Sequence, residues 1–430
     1  MAALCPLQRL SRARRWRPLW SIGLAATALL GSNLAAQQIQ VDSPVDAITE
    51  GRLSLELRPR YADISESDTN VNGHAWTMRS IVGWQTATFA DWRAVVEGIH
   101  TDVVDAYHIN TDASQYGVSP YPLLPDPRST DTNRVYLDYL GLPDTRVRLG
   151  KQPIRLDNER FFSDVDFRQT PMLFNGLTVV NSSVPDTEVY AALLNRIRTV
   201  FATQARARIW LLRVAYSPVQ DHSLAAYAYG SNERDNGTDT ELSDSSHQVF
   251  GLRAEGVVPT GLGFNGLYTA EAAHQRHYAG GDPRIEADYW RLGGGVVWPR
   301  LAGLGVRVDR EVKTSNNGQY AFQTPYEDSY AFNGWALQFT TTPPTGLRDT
   351  WLSLRAQPGR FGLVAEFHHF GATYGGLTYG NERDLRVTYA ATNSLSVKLQ
   401  HARFHGIGDT GGWFDYYGVT KTWLSLTYDY

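Results

Sequence analysis

Residues 153–173, PIRLDNERFFSDVDFRQTPML, hold the densest mixture of charged and aromatic side chains in the chain. Arg155, Arg160 and Arg168 are guanidinium forks, the group best shaped to grip a carboxylate through two parallel hydrogen bonds. Asp157, Glu159, Asp164 and Asp166 are interleaved with them, and Phe161, Phe162 and Phe167 let the segment pack instead of dangling. Such a loop suits folding inward to set the bore of a passage. The plainer reading is a surface loop with ordinary ion pairs. Asp164-x-Asp166 also has a spacing that suits calcium, with the neighbouring arginines competing for the same oxygens.

A hydrolytic site would need a nucleophile, a base and an orienting group at one rim. His368-His369, His401 and His405 are the candidates. Adjacent residues on a strand face opposite sides, so His368 and His369 cannot serve one site. No phosphate-cradling glycine loop, histidine metal cluster or glycosidase carboxylate pair can be argued from spacing. Neither an enzyme nor a cofactor or metal is expected.

What must position the arginines is a series of stretches that alternate apolar and polar side chains, each about ten residues long. Arg52–Tyr61 sets Leu53, Leu55, Leu57 and Tyr61 against Arg52, Ser54, Glu56, Arg58 and Arg60. Trp76–Gln85 and Trp92–Thr101 follow, then Asn133–Leu142 and Arg146–Gln152 about Pro143-Asp144, then two strands in 177–194 about Pro185-Asp186. The rhythm continues through 206–216, 223–230, 246–256, 263–274, 287–298, 304–311, 350–356, 361–370, 384–391 and 395–405. Lys421–Tyr430 closes the series, with Leu424, Leu426, Tyr428 and Tyr430 opposite Trp423, Ser425, Thr427 and Asp429. The total is about eighteen strands. Short turns alternate with long loops at 102–132, 153–173, 231–245, 313–349 and 406–420.

The expected fold is therefore all-β: a membrane-spanning antiparallel barrel with short periplasmic turns and long extracellular loops. Its lumen would be aqueous and partly filled by inward loops. A soluble sandwich has no reason to keep that alternation. With the apolar faces on lipid, Arg58, Arg79, Arg148 and Arg355 point into the lumen, together with Arg60, Arg93, Arg146, Arg253, Arg291, Arg307, Arg386 and Lys398. Glu56, Glu97, Glu255, Glu271, Asp309, Glu311 and Asp384 face the same way. The basic excess favours anions over cations. The alternative is that these arginines pair with the lumen acids and stiffen the wall.

Residues 1–36 read as a signal peptide: five arginines, an apolar stretch Leu19–Leu30, and Ala35-Ala36 for cleavage. Its removal leaves 35 basic against 44 acidic residues, a net charge of −9, with much of the acid in loops at Asp68, Asp102, Asp105, Glu233, Asp235, Asp239, Glu241 and Asp244. That balance argues against a nucleic-acid partner. The single cysteine, Cys5, lies in the leader, so residues 37–430 carry no disulfide or thiolate chemistry. No apolar run after the leader is long enough for a membrane helix, which needs about 18 residues. Residues 37–50 are a periplasmic lead-in too short to be a plug, and the rest is one barrel domain.

Two segments resemble the alginate export family of outer-membrane proteins. In the first, Gly150, Lys151, Gln152, Asp157, Arg160, Phe161, Arg168, Gln169 and Phe174 match its signature region. In the second, Ala331, Phe332, Asn333, Gly334 and Trp335 match, followed by Gly346, Leu347, Arg348 and Asp349. The resemblance implies an 18-stranded barrel passing an anionic uronate polysaccharide through an electropositive pore, with Lys151, Arg160 and Arg168 among the selectivity residues. It also implies a C-terminal aromatic, Tyr430, read by the barrel-insertion machinery. Lys151 stands where the family usually has Arg, which keeps charge but loses the fork. Strict alternation would turn Lys151 toward lipid, so a bulge near Gly150 is expected. A general or small-anion uptake porin is the competing reading, and a barrel that moves nothing is a third.

Overall fold

The computed structural model describes residues 39–67, 71–111, 120–233, 244–407 and 418–430. The expected leader, and the loop acids Asp68, Asp235, Asp239 and Glu241, lie outside the described residues.

Eighteen antiparallel strands form a closed barrel. The first six are β1 Arg52–Glu66, β2 Val71–Gln85, β3 Trp92–Tyr107, β4 Ser129–Leu142, β5 Thr145–Gln152 and β6 Leu173–Asn181. Next come β7 Thr187–Arg198, β8 Arg208–Tyr216, β9 His222–Asn232, β10 His247–Pro259, β11 Asn265–His277 and β12 Glu286–Trp298. The last six are β13 Leu304–Lys313, β14 Leu347–Ala356, β15 Phe361–Gly371, β16 Thr378–Ala390, β17 Leu395–Gly406 and β18 Gly418–Asp429. Each is a stretch read from alternation, most of them longer at the long-loop end. The extra residues there alternate less cleanly, because they rise beyond the lipid band.

Closure is direct. β18 pairs with β1 from Glu56↔Asp429 to Glu66↔Val419, and Leu55 and Tyr430 exchange backbone bonds of 3.1 and 2.9 Å. Pro59 lies in this seam. It has no N–H to donate, and the pairs at Arg58 and Pro59 drop out while the register on either side is unchanged.

The outer surface carries the apolar half of each alternation. Leu53, Val82, Leu137, Leu149, Leu193, Leu252, Leu292, Val308, Leu385 and Leu424 are all exposed, a continuous ring suited to hydrocarbon. At the short-turn end Trp92 pairs with Tyr139, Phe264 with Trp298, and Phe361 with Tyr389, forming an aromatic girdle. Helix α1, Pro44–Thr49, lies at that end, with Ser43 capping it by accepting from the Asp46 N–H at 3.1 Å. Its Ala47 carbonyl accepts from Ala87 in the β2–β3 turn.

The expected bulge near Gly150 is not there. β5 runs in unbroken register against β6, with Gly150 opposite Gly176. Both glycines have positive φ, 135° and 154°, and a Cβ on either would meet a neighbouring carbonyl oxygen at 2.2 or 2.1 Å. The irregularities lie on the flanking strands. On β4, Asn133 and Arg134 both face Glu97; on β7, Asn195 is the added residue. Lys151 accordingly stays on the outward register of β5.

Candidate functional site

The barrel interior is occupied by two loops, 153–172 and 314–346. They are the two segments whose sequences stand out, and they meet. The Ser163 N–H donates to the Tyr326 carbonyl at 2.8 Å, and the Asp328 N–H to the Glu159 carbonyl at 3.0 Å. Phe167 stacks on Tyr330 with centroids 3.6 Å apart, while Trp423 of β18 meets Phe167 edge-on. Phe161 and Phe162 pack among Tyr227, Tyr229, Tyr289, Phe322 and Tyr326 on the β9–β12 side. The loops thus have apolar cores of their own inside a polar barrel.

Wall arginines hold the first loop by its backbone. Arg58 donates to the carbonyls of Asp166 (2.8 Å) and Arg168 (2.6 Å) and to Gln169 Oε1 (3.1 Å). Arg60 donates to the Phe167 carbonyl at 2.5 Å and lies 3.6 Å from Asp126. Arg79 bonds Glu56 and, at 2.9 Å, Asp166 Oδ1. Arg198 donates to the Pro171 carbonyl at 3.0 Å. These carbonyls have no strand partner, and a buried carbonyl left unmatched is costly. Arg160 is fully buried between Glu311 and Glu327, with Asn333 Oδ1 at 2.9 Å. It joins the first loop to the second and to β13.

A second group of cations faces the open part of the lumen. Arg148 lies on Asp138 in a two-point contact (2.6 and 3.0 Å), which Arg93 shares at 2.6 Å, and Arg148 also sits 3.7 Å over Tyr136. Arg134 lies on Glu97, and Arg155 grips Asp164 with two 2.6 Å bonds. The Arg155 and Arg134 side chains are 45% and 42% exposed and within electrostatic range of each other. Arg355 lies on Glu366 at 3.0 Å and is partly exposed. Lys151, on the outward register of β5, is not one of this group: its ammonium is held by Asp131 Oδ2 (2.7 Å) and the Thr132 carbonyl (2.6 Å). The two acids of the calcium-like pair carry Arg155 and Arg79.

Among the described residues, Arg168, Arg386, Lys398 and Lys421 have no ion-pair partner within 4.0 Å. Arg386 stacks over Trp335 at 5.2 Å, and Lys398 lies in the field of Arg386, Arg58 and Arg60. In the second loop, burial and the nearby Glu159 carboxylate raise the Asp328 carboxyl to about 7.

Of the expected pore residues, Arg58, Arg79 and Arg160 are thus loop struts, while Arg148, Arg155 and Arg355 reach the lumen as one side of ion pairs. Arg134 escaped sequence reasoning because its inward turn depends on the β4 bulge, which strict alternation hides. Arg198 lay past the expected end of its strand at Leu194. His368 is buried and His369 exposed, as their adjacency on one strand requires.

The alginate export family model matches residues 54–310, more than half of the chain. A comparison with the curated proteins finds no match. Among solved structures, OccAB2 of Acinetobacter baumannii is similar with a TM-score of 0.69 at 11% identity, covering 90% of this chain and 99% of that one. OccK9 (OpdG) of Pseudomonas aeruginosa has a TM-score of 0.66 at 13% identity, covering 89% and 99%. OpdO of the same organism has 0.65 at 14%, covering 90% and 98%. At such identities the likeness is one of fold.

Proposed function

The chain belongs to the alginate export family as an integral outer-membrane channel, and on that premise we propose that it passes anionic solutes, with polyuronate as the substrate class. The observation that carries the reading is the pair of half-exposed guanidiniums, Arg134 and Arg155. Each is fixed on one edge by a carboxylate and keeps its other N–H groups for a passing carboxylate. The fixed partner cancels much of the charge, so an anion is attracted yet not trapped, which conduction through a series of sites requires. Arg93 and Arg148 share one aspartate and add a positive charge to the same wall. Arg168 and Arg386, with no carboxylate within 4.0 Å among the described residues, add to the positive field.

A specific observation favours small anions as a second reading. The aromatic cores of the two inward loops take up much of the interior, which narrows the way for a polymer. Planar-bilayer recording separates the two. Anion-selective reversal potentials with block by added oligouronate support the polyuronate reading. Anion selectivity without such block supports small-anion uptake, and cation selectivity rejects both.

A further inference from the structure

A few strands from the β1–β2 struts, across the closing seam, strands β14–β16 carry a group of acids that the anion reading does not use. Asp349, Glu366, Glu382 and Asp384 are buried around His368. One oxygen or nitrogen each from Glu366, His368 and Asp384 falls within 4.8 Å of the others. His368 Nδ1 lies 3.0 Å from both oxygens of Asp349. In the neutral imidazole that contact keeps the proton on Nδ1 and turns the Nε2 lone pair toward the other acids. Nε2 lies 3.8 Å from Asp384 Oδ2 and has no hydrogen-bond partner among the described residues, although His368 is 95% buried. Asp384 Oδ1 and Glu382 Oε2 are likewise buried with no donor from another residue, on two carboxylates close enough to share a proton. Glu366 receives Ser353 (2.8 Å) and Arg355 (3.0 Å) on Oε1 alone. The unpartnered atoms of His368 and Asp384 thus lie beside the Glu366 carboxylate, and a buried unmet lone pair is expensive.

We propose that Glu366, His368 and Asp384 bind a divalent transition ion of the Zn2+ class. A mixed nitrogen and carboxylate set suits zinc, whereas calcium and magnesium take oxygen ligands. Zinc sits about 2.0–2.2 Å from such donors, which sets tetrahedral donors about 3.4–3.6 Å apart; the Nε2–Oδ2 pair at 3.8 Å needs to close by a few tenths of an ångström, and the other pairs, within 4.8 Å, by up to about 1.4 Å. Asp349 is then the positioning residue, orienting the imidazole from its far nitrogen as second carboxylates do in zinc sites. The same carboxylates accept from the second loop: the Trp335 N–H donates to Asp384 Oδ2 (3.3 Å) and the Ala336 N–H to Glu382 Oε1 (2.6 Å). An ion here would fasten the 314–346 loop to the wall.

Purified full-length barrel in detergent, stripped with chelator, equilibrated with ZnCl2 and desalted, is expected to retain about one Zn2+ per chain. His368→Gln and Asp384→Asn should lower retention at least about tenfold, and Asp349→Asn should weaken affinity about 10- to 100-fold. A wild-type barrel that retains no zinc overturns the proposal; that result would mean an imidazolium and a shared proton fill the cluster instead. Undiminished zinc in variants that still migrate as folded barrels overturns it too. Should the variants not fold, Co2+-loaded wild type decides: visible d–d absorption of a nitrogen and oxygen site is expected, and its absence rejects the site.

Discussion

On β1 and β2, Arg58, Arg60 and Arg79 reach across the interior to the backbone and side chains of the 153–172 loop. On the adjoining strands β3–β5, Arg93, Arg134 and Arg148 lie on carboxylates of their own wall, and Arg155 faces them from the loop. The residue type and the strand geometry are the same in both regions. What differs is access to water. The first group is buried, and its guanidiniums replace the strand partners that loop carbonyls lack. The second keeps edges exposed, so its hydrogen bonds are open to exchange with a solute. Inward orientation alone therefore does not leave an arginine able to meet a solute; that also requires a free edge.

Breaking the buried group should have the larger consequences. Arg160→Ala leaves Glu311 buried without its cation and Glu327 with only Lys313 at 3.7 Å, at a cost of about 3–5 kcal/mol. It should lower the detergent melting temperature sharply and release the second loop, read as larger and noisier single-channel conductance. An unchanged conductance would remove Arg160 from the strut group. Phe167→Ala tests the same junction through packing. It deletes a ring stacked on Tyr330 and covered by Arg60 at 4.8 Å, at a cost of about 3 kcal/mol. Melting should fall while ion selectivity stays as in wild type, because no exposed charge changes. A selectivity change would mean the stack shapes the lining itself.

The barrel was legible in the sequence because lipid on one side and water on the other force period-two alternation on every strand. Leu424, Leu426 and Tyr430 outward and Trp423 inward follow from that constraint alone. The arginine division was not legible. Arg58 and Arg148 have the same local signature, and only the path of the loop decides which one is covered. Arg134 needed the β4 bulge, and the cluster around His368 needed three adjacent strands to be set in register. Lys151 was read as a pore residue, and its ammonium lies on Asp131 through contacts no spacing rule reports. The meeting of the two loops at Arg160, by contrast, joins the two segments that stood out as sequences.

A proton can sharpen the loop junction without mutation. Burial and Glu159 raise the Asp328 carboxyl to about 7, and Asp164 and Glu327 add to the same negative field. A carboxyl whose docked-state value lies above its ordinary one favours docking when protonated. The junction therefore tightens as pH falls through about 7 and loosens above it. Between pH 8 and 6 the gain is about 1.4 kcal/mol for one carboxyl. Fewer loop-opening events are expected at pH 6 than at pH 8 in single-channel records, and Asp328→Asn should flatten that dependence. A pH response that persists in the variant would assign it to another group.

The exposed group should show the smallest effect on stability and the clearest effect on transport. Arg155→Gln removes a half-exposed cation whose pairing with Asp164 is screened by water, so the melting temperature should move by no more than about 1 kcal/mol would produce. The lumen loses a positive charge and leaves Asp164 uncompensated, which reverses the local sign where Arg134 looks across. The reversal potential should shift toward cations, and block by oligouronate should weaken. Arg155→Lys should restore the reversal potential but not the block, because the ammonium returns the charge without the fork. If Arg155→Gln instead melts the barrel as Arg160→Ala is expected to, with selectivity intact, then Arg155 belongs with the buried struts and the division between the two regions fails at its most exposed member.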